Sequence, residues 1–234
     1  MIQLHQFIFN DFQENTYVLW DETNECIVID PGCYYEEERN DLQKFIEGKN
    51  LKPVLLLNTH CHIDHVFGNK WVKEKYKVPF YCNQKELYLL NALEATGKMY
   101  GMHVAPSPQP DRLIDESDEI KFGNTTLKIF FTPGHSAGSV CFYYDENNTN
   151  TVSYSGLSTQ DSRLIISGDV LFQNSIGRFD LPGGDYETLM QSIFNKLMIL
   201  PDEVKVYSGH GPATTIGVER RNNPFLLEYA EAKK

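Results

Sequence analysis

A dense group of metal-binding residue types lies in the segment LNTHCHIDHVFGN, residues 57–69. It contains His60, His62, Asp64 and His65, so three of the seven histidines of the chain lie within six positions. Residues two apart in an extended segment point the same way, so His60 and His62 can bind one ion, while Asp64 and His65 face elsewhere and suit a second. A lone histidine is usually a surface or capping residue, but this spacing after an apolar strand indicates a metal site.

Two further histidines and one aspartate occur in a setting like that of this cluster. His135 follows TPG, His210 follows YSG and Asp169 follows IISG, each at the end of a predicted strand. The preceding glycine lets the backbone turn sharply at the edge of a sheet. Any one of the three could be an ordinary loop residue. Their repetition at strand ends predicts that they converge on the first cluster.

Together these residues form a set of five histidines and two aspartates. Three histidines with a shared carboxylate make one site, and two histidines with a second carboxylate and the shared one make another. Two ions that share a carboxylate and a water form a hydrolytic centre, because the water loses a proton near neutral pH and becomes a nucleophile. Nitrogen and oxygen donors without thiolate fit zinc and are compatible with iron or manganese. The sequence therefore predicts two divalent metal ions and a metallohydrolase.

Buried strands and amphipathic helices must position these residues. Apolar runs predict strands over residues 2–9, 16–20, 26–30, 54–57, near 80, 139–144, and up to Asp169 and His210, with a hairpin that turns at Gly123-Asn124. Helical spacing predicts helices over residues 35–47, 66–76 and 84–96, one capped by Asp185 and one from about Pro224. Residues 145–161 are polar and predict an exposed loop. Each half thus has strands followed by strand–helix units, which predicts two packed sheets with helices outside.

The composition limits the partners of the protein. Hydrophobic residues at 41% and charged residues at 23% are typical of a soluble globular protein. The net charge of −11 repels phosphate backbones, so no nucleic-acid partner is expected. No apolar run could span a membrane, and the N-terminus lacks the basic start of a signal peptide. Five scattered cysteines without a CxxC pair indicate reduced, buried thiols in a cytoplasmic protein.

The motifs THCHIDH, TPGHSAGS, SGD and GHGP, in this order and spacing, resemble those of the metallo-β-lactamase superfamily. The resemblance covers about residues 1–223 and implies an αββα sandwich of two mixed β-sheets, an α/β fold with a dinuclear site at one edge. It assigns His60, His62 and His135 to the first metal, Asp64, His65 and His210 to the second, and Asp169 to both as a bridge. It also implies that Asp64 and Asp169 hold the metal-bound water that attacks the substrate.

The segment NSIGRFDLPGGD, residues 174–185, resembles the glyoxalase II-like hydrolases, which cleave thioesters such as S-lactoylglutathione. True glyoxalase II enzymes carry a C-terminal helical domain that holds glutathione, whereas only 24 residues follow His210 here. We therefore expect residues 1–234 to form a single domain, with thioesterase chemistry carried over better than glutathione specificity. A β-lactamase is not expected, since those enzymes are usually exported and often have cysteine where Asp169 stands.

Arg178 is the candidate substrate-binding residue outside the metal ligands. It lies between glycine and aromatic and acidic residues after a ligand-bearing strand, and its guanidinium would suit a substrate carboxylate. The alternative is a salt bridge to Asp180 or Asp185 that only orders the loop. Cys61 alternates with the two histidines and is interpreted as a packing residue.

Three other functions remain open from the sequence. A persulfide dioxygenase of the same superfamily would hold one iron through His60, His135 and Asp169. The presence of Asp64, His65 and His210 favours the hydrolase. A ribonuclease is disfavoured by the acidic charge, and a non-catalytic metal-binding module by the complete ligand set. The expected substrate is a small-molecule thioester, and the oligomeric state is not predicted.

Overall fold

The structure of this protein is a computed structural model that describes residues 2–146 and 163–234. Two six-stranded β-sheets form its centre, and helices pack on their outer faces. The polar stretch 145–161, expected to be an exposed loop, falls almost entirely outside the described residues. Within the described ranges, no helix combines the length and the apolar character that a membrane crossing requires.

The first sheet is mixed and has the strand order β1-β2-β3-β4-β5-β6. Its strands are β1 Gln3–Phe9, β2 Glu14–Trp20, β3 Glu25–Ile29, β4 Lys52–Leu57, β5 Phe80–Asn83 and β6 Arg112–Ile114. The pairs from β1 to β3 are antiparallel, and those from β3 to β6 are parallel. The five predicted strands of this half are confirmed, and the short edge strand β6 was not predicted.

The second sheet is also mixed and has the order β14-β13-β10-β9-β8-β7. Its strands are β7 Glu119–Phe122, β8 Thr125–Phe131, β9 Val140–Asp145, β10 Arg163–Gly168, β13 Lys205–Ser208 and β14 Thr214–Thr215. Strands β10 and β13 are parallel, and the other neighbours are antiparallel. Between β10 and β13 the chain forms a two-stranded ribbon of β11 Leu171–Phe172 and β12 Ser175–Ile176.

Helices cover the outer faces of both sheets. They are α1 Glu36–Gly48, α2 Ile63–Val66, α3 Asn69–Tyr76, α4 Leu87–Met99, α5 Tyr186–Ser192, α6 Ile216–Asn222 and α7 Pro224–Ala232. A 3₁₀ turn, Gln84–Glu86, precedes α4, and a π-helical segment, Ile193–Leu197, continues α5. The Asp185 carboxylate accepts a hydrogen bond from the Thr188 amide, which confirms its predicted capping role.

Alternating side chains on each strand separate three apolar cores. On β2, Tyr17 and Leu19 face the core between the sheets, whereas Val18 packs toward α1. On β10, Ile166 faces the core between the sheets and Ile165 packs under α5. Each sheet therefore buries both faces, one against the other sheet and one against helices. This layering is the αββα sandwich that the resemblance implied.

The helix predicted over residues 66–76 is instead broken at Phe67-Gly68 into α2 and α3. The break brings the backbone against the loop after β3, where the Gly68 amide donates to Pro31 O at 2.7 Å. A Cβ at Gly68 would lie 2.8 Å from that same oxygen, so the contact requires glycine. The short helix α6 was not predicted either, although Thr215 caps it in the usual way by accepting from the Val218 amide.

Candidate metal centre

Four loops at one edge of the sandwich bring the seven predicted ligands together. They follow β4, β8, β10 and β13, as the sequence predicted for the polar residues at strand ends. His60 and His62 lie in the loop after β4, whereas Asp64 and His65 lie in α2. That placement corrects the expectation of one extended loop, since the His65 amide donates to His62 O at 3.1 Å and closes a helical turn.

Three imidazoles form the first group, which we define as His60, His62 and His135. The Nε2 atom of His135 lies 3.2 Å from Nε2 of His60 and 2.8 Å from Nδ1 of His62. A tetrahedral zinc site with bonds of about 2.0–2.1 Å has ligand atoms roughly 3.3 Å apart. The spacing of the three nitrogens is therefore close to that of three ligands on one ion.

One carboxylate and two imidazoles form the second group, Asp64, His65 and His210. The Asp64 Oδ2 atom lies 3.1 Å from Nε2 of His210 and 3.6 Å from Nε2 of His65. All three residues thus direct one donor atom toward a common point, and the donor set again lacks sulfur.

Asp169 lies between the two groups and contacts both. Its Oδ2 atom is 3.6 Å from Nε2 of His135 in the first group and 3.5 Å from Nε2 of His210 in the second. Its Oδ1 atom is 3.5 Å from Nε2 of His65. A Cβ at Gly209 would lie 2.1 Å from this Oδ1, so the glycine before His210 permits the approach of the two loops.

Unpaired buried atoms test whether a cation fits here. Nε2 of His65 and Oδ1 of Asp169 are buried and have no hydrogen-bond partner among the described residues. A buried polar atom without a partner is costly, and such atoms are rare in native proteins. Two of them face each other between the two groups, so the residues present fit one or more bound divalent cations. Nitrogen and oxygen donors suit zinc, iron or manganese.

Backbone carbonyls orient two of the imidazoles through their other ring nitrogen. His135 Nδ1 lies 2.8 Å from Arg178 O, and His210 Nδ1 lies 3.0 Å from Phe12 O. A carbonyl can only accept, so each Nδ1 carries a proton, and Nε2 of each ring is the nitrogen left to face the centre. Neither carbonyl could be found from the sequence, because any residue type supplies one.

Asp30, which sequence reasoning missed, orients two more histidines, His65 directly and His60 through Thr59. Its Oδ2 atom lies 3.3 Å from His65 Nδ1 and accepts from Thr59 Oγ1 at 2.5 Å, while Oδ1 accepts from the Thr59 amide at 2.7 Å. Thr59 Oγ1 in turn lies 3.1 Å from His60 Nδ1. One buried carboxylate therefore fixes an imidazole in each group. The DPG motif at residues 30–32 was visible, but it indicated only a turn.

Glu86 is a second carboxylate that the sequence did not reveal. It is fully buried, and its Oε2 accepts from the Cys61 amide at 2.8 Å. Its Oε1 accepts from Ser136 Oγ and from the Gly138 amide, each at 2.7 Å. These donors belong to the two loops that carry the first group, so Glu86 ties those loops together. In the sequence it resembles an ordinary acidic residue at the start of a helix.

The two groups differ in the pKa of their imidazoles. Burial lowers the pKa of His60, His62 and His135, and that of His62 falls to about 3. Burial also lowers the pKa of His65, but the charges of Asp64 and Asp169 outweigh it and the net shift is well upward. For His210, burial again opposes a net rise that comes from hydrogen bonding to Asp64 and the charge of Asp169.

The loop that carries His210 is held by the beginning of the chain. The Asn15 side chain donates to Ser208 O and to Gly211 O, both at 2.8 Å, and the Asn15 amide donates to Gly209 O at 2.7 Å. Tyr17 Oη donates to Ser208 O at 2.7 Å. Strand β2 therefore sets the position of His210. The bond from Asn15 to Ser208 joins residues that are 193 positions apart in the sequence.

A cavity of about 690 Å³ opens beside the two groups. The side chains of both groups form its floor, α4 forms one wall, and residues 172–182 contribute to another. The two walls are joined where Tyr88 Oη donates to Pro182 O at 2.7 Å. The cavity is of a size that could admit a small molecule to the two groups.

Arg178 lines this cavity, and its side chain already has a partner. Its Nε and Nη2 atoms donate to the two carboxylate oxygens of Asp180 at 2.8 and 2.9 Å. Of the two carboxylates considered from the sequence, Asp180 is therefore the one that pairs with it. Cys61 is buried in the core under α4, in agreement with its predicted packing role, and all five cysteines are buried and unpaired.

Comparison with known proteins finds relatives that match this chain over nearly its whole length. A family model described as the metallo-beta-lactamase superfamily matches residues 9–149. The probable metallo-hydrolase YqgX of Bacillus subtilis is 40% identical over 92% of this chain and 92% of its own length. The hydroxyacylglutathione hydrolase GloC of Haemophilus influenzae is 36% identical over 92% of this chain and 93% of its own length.

Solved structures show the same architecture. The BLEG-1 B3 metallo-beta-lactamase superposes with a TM-score of 0.82 at 36% identity, covering 96% of this chain and 99% of that one. TTHA1623, solved in a di-iron-bound form, superposes with a TM-score of 0.78 at 32% identity, covering 95% and 100% of the two chains. Sequence motifs, sheet topology and relatives agree, and the chain belongs to the metallo-β-lactamase superfamily, in its glyoxalase II-like part.

Proposed function

We propose that this protein is a dinuclear metallohydrolase that cleaves a thioester. The proposed ligands of the first metal are His60, His62, His135 and Asp169, and those of the second are Asp64, His65, His210 and Asp169. The observation that carries the proposal is the position of Asp169, whose carboxylate lies 3.5–3.6 Å from imidazole nitrogens of both groups. A carboxylate in that position can bridge two ions and keep them close enough to share one water.

Two bound divalent ions would supply an activated water and polarise the thioester carbonyl. The part of the protein is to orient that water through carboxylates. Oδ2 of Asp64 and Oδ2 of Asp169 both lie within 3.5 Å of Nε2 of His210, so the two oxygens face the same space. Both can accept hydrogen bonds from a water molecule there. The oxygen of the water adds to the carbonyl carbon, the C–S bond breaks, and the leaving thiolate takes up a proton. The products are a carboxylic acid and a thiol.

Two findings favour a thioester as the bond that is cleaved. The relative GloC is described as a hydroxyacylglutathione hydrolase and is 36% identical to this chain. The segment 174–185 that carries the glyoxalase II-like motif lies against the centre, because Arg178 O is bound by His135 Nδ1. We propose zinc as the metal, and the di-iron form of TTHA1623 supports iron as the alternative.

Arg178 remains a candidate for binding a substrate carboxylate. It faces the cavity and is more than half exposed, so a carboxylate could replace Asp180 as its partner. Asp180 is 64% exposed and can move to solvent when that exchange occurs.

The test is to purify the protein without added metal, quantify its metals and assay S-lactoylglutathione, a β-lactam and glutathione persulfide. We expect two metals per chain and thioester hydrolysis that a chelator abolishes. His62→Ala should lose metal and activity, while the exposed His103→Ala should keep both. If the protein contains one iron per chain and consumes oxygen with glutathione persulfide, it is a persulfide dioxygenase and the proposal is wrong. Cleavage of the β-lactam alone would replace it by a lactamase.

A further inference from the structure

The helix α4 presents an apolar face to the cavity beside the metal centre. Leu89, Ala92, Leu93 and Thr96 line the cavity at spacings of three and four residues, which places them on one side of the helix. Each is buried or half-buried, whereas the neighbouring residue Ala95 is exposed and does not line the cavity. The apolar face therefore continues directly from the proposed metal ligands.

Large exposed apolar side chains continue this face to the C-terminal end of α4, at Met99 and the next residue, Tyr100. Met99 is 86% exposed and Tyr100 is 52% exposed, and both line the same cavity. The rings of Phe12 and Tyr100 are in edge-to-face contact with centroids 5.6 Å apart, so the turn between β1 and β2 adjoins this apolar face. Apolar surface that stays exposed inside a concave site commonly marks a place where a ligand binds.

Charged groups for recognising a polar substrate are scarce in this cavity. Among the described residues that line it, Arg178 is the one arginine or lysine, and Asp180 holds it in a two-point ion pair. The other charged lining residues, Asp64 and Asp169, belong to the metal centre. A peptide thiol with two carboxylates would therefore meet one cation and an apolar wall, which favours an apolar group over a charged one.

We propose that the substrate carries an apolar arm of several carbons that lies along α4, against Leu89, Ala92 and Met99. The inference rests on the proposed thioester hydrolysis and specifies its substrate class. The arm can belong to either side of the thioester, the acyl group or the thiol. Burying it against α4 places the carbonyl carbon at the metal centre, so binding energy from the arm contributes to kcat/KM.

Two series of thioesters test the proposal with the metal-loaded protein. In the first series the thiol is N-acetylcysteamine and the acyl group grows from acetyl to hexanoyl. In the second the acyl group is acetyl and the thiol grows from ethanethiol to hexanethiol. In one of the two, kcat/KM should rise about two- to fourfold for each added methylene. A flat dependence in both series, with thioesters still hydrolysed, overturns the apolar arm and leaves the proposed function intact.

A charge placed on the wall should remove this dependence. Ala92→Glu should lower kcat/KM for the longest preferred substrate at least tenfold and change the shortest less than threefold. The matched control Ala95→Glu introduces the same charge three residues further along the same helix, at an exposed position that does not line the cavity, and should behave like the unmodified protein. Equal effects of the two substitutions on long and short substrates would overturn the proposal.

Binding without chemistry separates this inference from the proposed function. Methyl NMR of zinc-loaded protein labelled at alanine and methionine would be recorded with S-hexyl- and S-methyl-N-acetylcysteamine, which cannot be hydrolysed. The hexyl compound should shift the Ala92 and Met99 signals and leave Ala95 unchanged, and the methyl compound should require a much higher concentration. If no thioester is cleaved but this pattern holds, the proposed function fails and the apolar site stands. Absence of selective shifts overturns the site.

Discussion

The two histidine groups of the centre contain the same side chain in opposite electrostatic settings. In the first group, burial dominates and lowers the pKa of all three imidazoles. In the second, His65 lies between four carboxylates. Asp30 and Glu14 are 3.3 and 3.7 Å from its Nδ1, and Asp169 and Asp64 are 3.5 and 3.6 Å from its Nε2.

In the proposed dinuclear centre, this difference would make the two metal sites unlike. The first group offers neutral nitrogens, because burial already disfavours their protonated forms. The second concentrates negative charge, which holds protons on its imidazoles and would hold a cation in their place. A metal that binds there must displace those protons, so the second group combines strong attraction with competition from protons. The following predictions test whether the two groups act separately.

The largest effect is expected for Asp169→Ala, because its carboxylate contacts both groups. Metal content should fall by more than one ion per chain. Hydrolysis should fall by more than the roughly 10- to 100-fold that loss of an outer partner causes. Mass spectrometry of the bound metal, with circular dichroism as a check on folding, measures this. Retention of two metals per chain would show that Asp169 does not bridge.

Removing one imidazole should affect its own group first. His60→Ala is expected to lose the first metal and nearly all hydrolysis with the fold intact, because His60 lies in a loop and a site with two of three imidazoles binds weakly. His135→Ala should behave in the same way. Metal titration by competition with a chromophoric chelator would show one tight site instead of two. A wild-type rate for purified His60→Ala would contradict the ligand assignment.

Asp30→Asn should weaken the second group most, because Asp30 contacts His65 directly but reaches His60 of the first group only through Thr59. An amide cannot accept at both positions where the Asp30 carboxylate meets Thr59 and His65, so we expect a roughly 10- to 100-fold loss of metal affinity at the weaker site. Asp21→Asn is the matched control. Asp21 is equally buried and accepts several hydrogen bonds, but it follows β2 at the other end of the sheet. An equal loss of metal affinity in the two variants would show that Asp30 contributes to folding only.

Glu86→Gln should weaken the first group instead. The carboxylate accepts from Cys61, Ser136 and Gly138 with both oxygens, and an amide nitrogen cannot replace either one. We expect about tenfold weaker metal binding, with the second site unchanged. Glu219→Gln changes a carboxylate that is equally buried and also accepts three hydrogen bonds, and it should leave both metal affinities unchanged. A loss at both sites would show that the two groups do not act separately.

The smallest effect is expected for Arg178→Ala, because its link to the centre is a backbone carbonyl that the substitution keeps. Both metals should remain, and KM for an anionic thioester should rise up to about tenfold with kcat little changed. Asp180→Asn should act in the opposite direction by weakening the competing ion pair. The exposed and ion-paired Arg112 provides the control variant Arg112→Ala. An equal loss on neutral thioesters would show that Arg178 orders its loop only.

The sequence predicted the parts of this structure that depend on local pattern. Apolar runs separated by polar turns predicted the strands. The tendency of loops at strand ends to carry functional residues predicted that His135, Asp169 and His210 converge on the first cluster. The break at Gly68 was missed because its cause, Pro31 O, is distant in sequence. An intact helix 66–76 had the better local pattern, and a tertiary contact overrode it.

The supporting residues of the site could not be predicted for a related reason. Asp30 and Glu86 are acidic residues in ordinary local settings, a turn and a helix start. Their role comes from partners 25 to 52 residues away, which only the folded chain brings near. Carbonyl groups such as Arg178 O carry no sequence signal at all. Candidate metal ligands can be recognised in a sequence by their residue type, whereas the groups that orient them cannot.

The bonds from Asn15 and Tyr17 to the loop of His210 also set an order of events during synthesis. Residues 60–65 leave the ribosome long before residue 210, and at about 5–20 residues per second the interval is roughly 7–30 s. During this interval the side chains of Asn15 and Tyr17 have no acceptor in the loop of His210, because that loop has not been made. Of the second group, only Asp64 and His65 are present. In the proposed dinuclear centre, capture of a second ion would therefore be a late event that requires almost the entire chain, and closing so long a loop slows folding. Until residue 210 is made, Asp64 and His65 lack the imidazole of His210, whose Nε2 lies 3.1 Å from Asp64 Oδ2 in the folded chain.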